Sequence, residues 1–98
     1  MTTINPYISS PGEILRIEFL EPLGISQYKL AKAIGKPQSA ISDIVNGHRS
    51  ITPEMALLFG KALGTSPEFW LRLEATYRLK TLDKETALDS IPVLVNTN

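Results

Sequence analysis

Gln38, Ser39, Ser42, Asp43 and Asn46 fall at i, i+1, i+4, i+5 and i+8, which is one side of a helix at about 100° per residue. Their side chains carry amides, hydroxyls and one carboxylate, so between them they donate and accept hydrogen bonds. Such groups, presented from a helix, match the donor and acceptor patterns of base edges in a major groove. A helix that merely faces solvent more often uses Lys, Glu and Arg, which are stronger helix formers. A sparsely charged face is expected where one helix reads bases while its neighbours hold phosphates. The alternative is that Gln38 and Ser39 are simply solvated.

Other chemistries find little support. The sequence holds no Ser/His/Asp set, no phosphate-cradling loop and no metal-ligand spacing, so it does not read as an enzyme. There is no cysteine, hence no disulfide framework and no thiolate metal site. His48 is the single histidine and has no acidic cluster beside it. It reads as a loop residue near phosphate rather than as a metal ligand or base. No catalytic residue, metal, cofactor or small-molecule ligand is expected.

The charge is neutral overall but uneven. Between Ser26 and Arg49, Lys29, Lys32, Lys36 and Arg49 stand against Asp43 alone, which gives +3 and leaves −3 for the remainder of a chain of formal net charge zero. A locally basic patch suits a DNA reader of modest affinity. Charge alone fits a solvated helix surface equally well, and that is the more natural reading of Lys29 and Lys32.

The 98 residues, 43% of them hydrophobic, make one domain with a modest core. No apolar run approaches the roughly 20 residues that span a bilayer, and "MTTINPYISS" lacks the basic and apolar regions of a signal peptide. A cytoplasmic protein is expected.

The elements that must position the polar face read as helices. Ser10-Pro11-Gly12-Glu13 has the residues of a capped start and a capping box. Ile14, Leu15, Phe19 and Leu20 follow at helical spacing, until Pro22 and Gly24. Ser26 can cap a second helix striped by Leu30, Ala31 and Ile34, with Gly35 as its stop. Pro37 suits the first turn of a third helix, which ends at Asn46-Gly47 and buries Ala40, Ile41, Ile44 and Val45. Thr52-Pro53-Glu54 and Ser66-Pro67-Glu68 start two more by one shared device. The fourth carries Met55, Leu58, Phe59, Ala62 and Leu63. The fifth carries Phe69, Trp70, Leu73 and Tyr77, aromatic residues of the kind more often found in a core than around a ligand. Only "IPVLVN" reads as a possible strand. The expectation is an all-α five-helix domain over residues 1–82, with a tail over residues 83–98.

Helices two and three read as a helix-turn-helix unit, in which two helices cross steeply over a short turn that often contains glycine. Ala31 supplies the small residue at the crossing. Leu30, Ile34, Ile41 and Ile44 lock the pair in register with Gly35.

"SQYKLAKAIGKPQSAISDIVNG" resembles the helix-turn-helix of the phage-repressor-like (XRE/Cro) family, with its lambda-repressor-like fold. "PGEILRIEFLEPLGISQYKLAKAIG", "ISDIVNGHRSIT" and "ALGTSPEFWLRLEATYRL" are similar to the HigA (VapI-like) antitoxins. The likeness covers about residues 10 to 80. Its more specific parts are "PGEIL…FLEPLG" and "LGTSPEFWL", which the general repressor family does not share. Lys36 departs from the small apolar residue usual there.

The resemblance implies a homodimeric autorepressor that binds a palindromic, double-stranded operator and neutralises a HigB-like toxin, an mRNA-cleaving enzyme of the RelE-like class. Gln38, Ser39, Ser42 and Asp43 are then base readers. Gln27, Lys36, Asn46, His48 and Arg49 are phosphate contacts. The fifth helix has apolar residues on more than one face, which points to a dimer interface at Trp70, Leu71 and Leu79. The tail "LDKETALDSIPVLVNTN" is a dimer arm, a toxin-contacting segment or disordered. A stand-alone repressor without a toxin would share every residue of the DNA-binding unit, and only the flanking likeness favours the antitoxin.

Overall fold

The computed structural model describes residues 9–85 and 87–95. The reading of the N-terminal stretch as a non-leader falls on residues 1–8 and lies outside them. Among the described residues there are five helices and no strand. We label them α1 (residues 11–23), α2 (Gln27–Ile34), α3 (Gln38–Val45), α4 (Pro53–Leu63) and α5 (Pro67–Glu85), with a 3-10 turn at Leu88–Ser90 after them.

Each start follows from its cap. Ser10 Oγ accepts from the Glu13 N–H at 3.2 Å and Glu13 Oε1 accepts from the Ser10 N–H at 3.4 Å, closing the capping box. The hydroxyls of Ser26, Thr52 and Ser66 accept from the N–H of Lys29, Met55 and Phe69 at 3.0, 3.2 and 3.1 Å. Pro37 differs from expectation. It lies just outside α3, at the cap position, with φ −63° and ψ 146°. Its ring fixes φ for that extended geometry, and a cap position needs no N–H from it.

The ending of α1 also differs from a plain stop. Leu15–Leu20 winds as a π-helix between the α-helical Pro11–Ile14 and Glu21–Leu23. The Glu21 N–H donates to Arg16 O, five residues back. Pro22 therefore sits in the last turn rather than after it, and Gly24, left-handed at φ 64°, ends the helix as expected. A proline ring collides with the carbonyl four residues earlier in a regular α-helix, and a wider turn relieves that contact.

The core draws on all five helices, with Leu15, Ile41, Ala56, Phe59 and Trp70 fully buried and Leu30 and Ala31 of α2 beside them. The inward face of α4 carries Met55, Ala56, Phe59 and Gly60, so Ala62, expected inside, is exposed. Gly60 has no side chain because the turn into α5 passes directly over it. A Cβ on Gly60 would stand 2.8 Å from Thr65 O.

Trp70 is the centre of an aromatic cluster, with ring centroids 5.1, 5.4 and 5.0 Å from Phe19, Phe59 and Phe69. Its Nε1–H donates to Thr65 Oγ1 at 2.7 Å. At 0% exposure it presents no surface to a second chain, which corrects its placement at a dimer interface. Phe19 of α1, Phe59 of α4 and Phe69 of α5 itself pack around the ring. "IPVLVN" is not a strand over its described residues. Ile91, Val93, Leu94 and Val95 are exposed and in no regular element, because no described strand offers them an edge to pair with.

Candidate nucleic-acid interface

The geometry begins at the turn. Gly35 ends α2 at φ 70° and ψ 32°, left-handed values that cost a residue with a Cβ more than glycine. This lets the Gly35 N–H reach Lys32 O at 3.3 Å and the Lys36 N–H reach Ala31 O at 3.0 Å, satisfying carbonyls that α2 would otherwise leave open. Residues 35–37 thus turn the chain from α2 into α3. Leu30, Ala31, Ile41 and Ile44 are buried and Ile34 packs beside them, as the sequence pattern requires.

Burying Ala40, Ile41, Ile44 and Val45 fixes which side of α3 faces out. Gln38, Ser39 and Asn46 are exposed, and Ser42 and Asp43 are half-buried beside them. The structure therefore brings all five polar residues to one outer surface. Within it, Asn46 Nδ2 donates to Ser42 Oγ at 3.4 Å. Asp43 Oδ2 lies 3.6 Å from Arg49 Nη2. That pair balances the one acidic charge on this face.

The remaining candidates surround this face unevenly. Gln27 is half-buried in the first turn of α2, while His48 and Arg49 are exposed on the loop after α3. The His48 N–H donates to Asp43 O at 2.8 Å, so this loop is folded against the end of α3. Lys36 Nζ sits 2.9 Å from Glu54 Oε1, across the turn on α4. An exposed pair of this kind is worth only about 0–1 kcal/mol, so exchanging Glu54 for a phosphate is inexpensive.

Two supports were hidden from sequence reasoning. Gly12 of α1 touches the backbone at the end of α3, where a Cβ would stand 1.8 Å from Ile44 O. The contact sets how α3 lies on α1. Glu74 of α5 is buried and its Oε1 accepts from the Ile51 N–H at 2.7 Å, tying the loop after α3 to α5. Glu74 and Arg78 stand at i, i+4, a spacing common to surface ion pairs. Nothing in the spacing discloses a partner 23 residues away.

Residues 17–70 match the family model HTH_3, helix-turn-helix. The chain belongs to this family. It stands with the HigA and VapI-like members. It is 41% identical over 78 residues to virulence-associated protein A of Dichelobacter nodosus, covering 79% of this chain and 76% of that protein. The structure described as Pseudomonas aeruginosa antitoxin HigA with the higBA promoter is similar at a TM-score of 0.80 and 36% identity, covering 89% of this chain and 98% of that one. The structure of antitoxin GraA in complex with its operator is similar at a TM-score of 0.83 and 31% identity, over 98% of both chains. Helix-turn-helix proteins are not an enzyme class. Among the described residues no helix is long and apolar enough to cross a membrane.

Proposed function

We propose that this chain is a HigA-type antitoxin and autorepressor, which binds operator DNA in its own promoter as a homodimer and neutralises a HigB-like mRNA-cleaving toxin in the cytoplasm. The observation that carries the reading is the outer face of α3. Five hydrogen-bonding side chains share it, on a helix-turn-helix whose similar solved structures include antitoxins with a promoter and with an operator. In helix-turn-helix docking the N-terminal residues of the second helix reach base edges, and Gln38 and Ser39 occupy that end.

Roles follow from reach and chemistry. Gln38 can pair bidentately with adenine, and Ser39 and Ser42 can bond either edge. Asp43 accepts from cytosine or holds Arg49. Gln27, Lys36, Asn46, His48 and Arg49 hold phosphates, Lys36 by releasing Glu54. Gln38→Ala is expected to cost about 1–3 kcal/mol on the operator and to blur its preference over random DNA. Arg49→Ala is expected to weaken all sequences alike and to lower the salt slope by about one. Fluorescence anisotropy across a KCl series separates the two. Equal losses on operator and random duplex for Gln38→Ala would remove it as a reader.

A dimer places two such units on half-sites about one helical turn apart, roughly 34 Å. Leu79, 70% exposed on α5, is the residue we assign to the subunit contact, with Leu71, half-buried against the core two turns earlier, contributing what remains exposed. Sedimentation as a monomer at micromolar concentration would remove that assignment.

The experiment that tests the whole reading induces the reading frame adjacent to this gene with and without this chain. Growth arrest relieved by this chain, with co-purification of the pair, is the expected result. An adjacent frame that neither arrests growth nor binds would leave a repressor without a toxin.

A further inference from the structure

A buried glutamate needs a reason. Glu74 is 9% exposed, and both its carboxylate oxygens are engaged. Oε1 accepts from the Ile51 N–H and Oε2 from Arg78 Nε, each at 2.7 Å. Arg78 Nη2 in turn donates to Ser50 Oγ at 2.7 Å. Two side chains of α5 thus grip two consecutive residues of the loop between α3 and α4.

The same loop is held at its other end. The N–H groups of Asn46, Gly47 and His48 donate to the carbonyls of Ser42, Ile44 and Asp43. Arg49 stands between the two anchors, its side chain half exposed and 3.6 Å from Asp43 on the outer face of α3. An i, i+4 ion pair on a surface does little for stability. This one is partly withdrawn from water, and each member also bonds a remote part of the chain. Charge-assisted bonds of that kind fix geometry. A loop ordered during folding spends no ordering entropy when it meets a ligand.

We propose that Glu74 and Arg78 are positioning residues for DNA recognition. They fix Ser50 and Ile51 so that Arg49 meets its phosphate in register with the base-reading face of α3. Neither residue touches DNA; both act through Arg49. The inference rests on the DNA-binding reading and extends it to α5, a helix outside the helix-turn-helix itself.

The test is a double-mutant cycle between Arg78→Gln and Arg49→Ala. The probe is a labelled duplex spanning the DNA upstream of the transcription unit that encodes this chain and the adjacent frame, with a scrambled duplex beside it. Arg78→Gln is expected to weaken binding about tenfold alone and less than about twofold in the Arg49→Ala background, non-additivity typical of coupled residues. It is also expected to lower the salt slope by about one, as if a phosphate contact were lost. Ser50→Ala, a smaller change that removes the same grip from the loop side, is run in the same cycle and is expected to couple likewise. It decides the matter if Arg78→Gln does not fold. Equal losses in both backgrounds, with the wild type still preferring the upstream duplex, would overturn the clamp and leave the DNA-binding reading intact. A wild type without that preference would overturn both.

Discussion

Trp70→Ala is expected to lower the stability of the folded chain by about 3–5 kcal/mol, the range for removing a large buried aromatic ring. The ring is wholly enclosed and touches Phe19, Phe59 and Phe69. Truncation leaves a cavity among three other rings, and closing it would disturb the edge-on contact between Phe19 and Phe69. It also strips Thr65 Oγ1 of its donor. A domain of this size has about 5–15 kcal/mol in hand, so a visible unfolded fraction is expected near physiological temperature. Trp70→Phe should cost clearly less, because it keeps a ring in the cluster and loses mainly volume and the bond to Thr65. Urea denaturation followed by far-UV circular dichroism measures both. A loss under about 1 kcal/mol for Trp70→Ala would deny the ring its central place. A stable, folded monomer from that variant would instead return Trp70 to a subunit interface.

That residue also shows where sequence reading stops. The helix-turn-helix was legible because every part of it is local. Cap, stripe, turn glycine and next stripe lie within residues 26–46, and their spacing alone places Gln38, Ser39, Ser42, Asp43 and Asn46 on one face. The caps at Ser10, Thr52 and Ser66 were legible for the same reason. What was hidden depends on contacts between elements. Trp70 as core or as interface turns on whether Phe19 and Phe59 close over it. The burial of Glu74 turns on a backbone N–H in another loop. The π-helical stretch of α1 was hidden because a proline near a helix end ordinarily reads as a stop, whereas here the chain widens before Pro22 and runs on to Leu23, where Gly24 ends it. "IPVLVN" misled in the opposite direction. Apolar and β-branched residues favour a strand only where a partner edge exists.

Gly12→Ala puts sequence rules and packing in direct opposition, and the sign of its effect decides between them. Gly12 lies in the first turn of α1. By helix propensity alone, alanine there should stabilise by up to about 1 kcal/mol. The structure predicts the reverse. A Cβ at this position would stand 1.8 Å from Ile44 O, 2.6 Å from Ile44 C and 2.9 Å from Val45 Cα. All three are backbone atoms at the end of α3, so no rotamer change relieves the contact. Overpacking typically costs about 1–3 kcal/mol where side chains can yield; here two helix backbones must part, and a net loss above about 3 kcal/mol is expected. The same separation would tilt α3 away from the surface that α2 and the following loop share with it. Operator binding should therefore weaken even at temperatures where the variant remains folded. Thermal and urea denaturation give the first quantity, and anisotropy on the upstream duplex gives the second. Unchanged or increased stability would mean that α1 does not rest on the α3 backbone at Gly12. The opening "PGEIL" would then be only a helix start. A large loss would make the glycine the reason that α1 and the recognition helix share one fixed geometry.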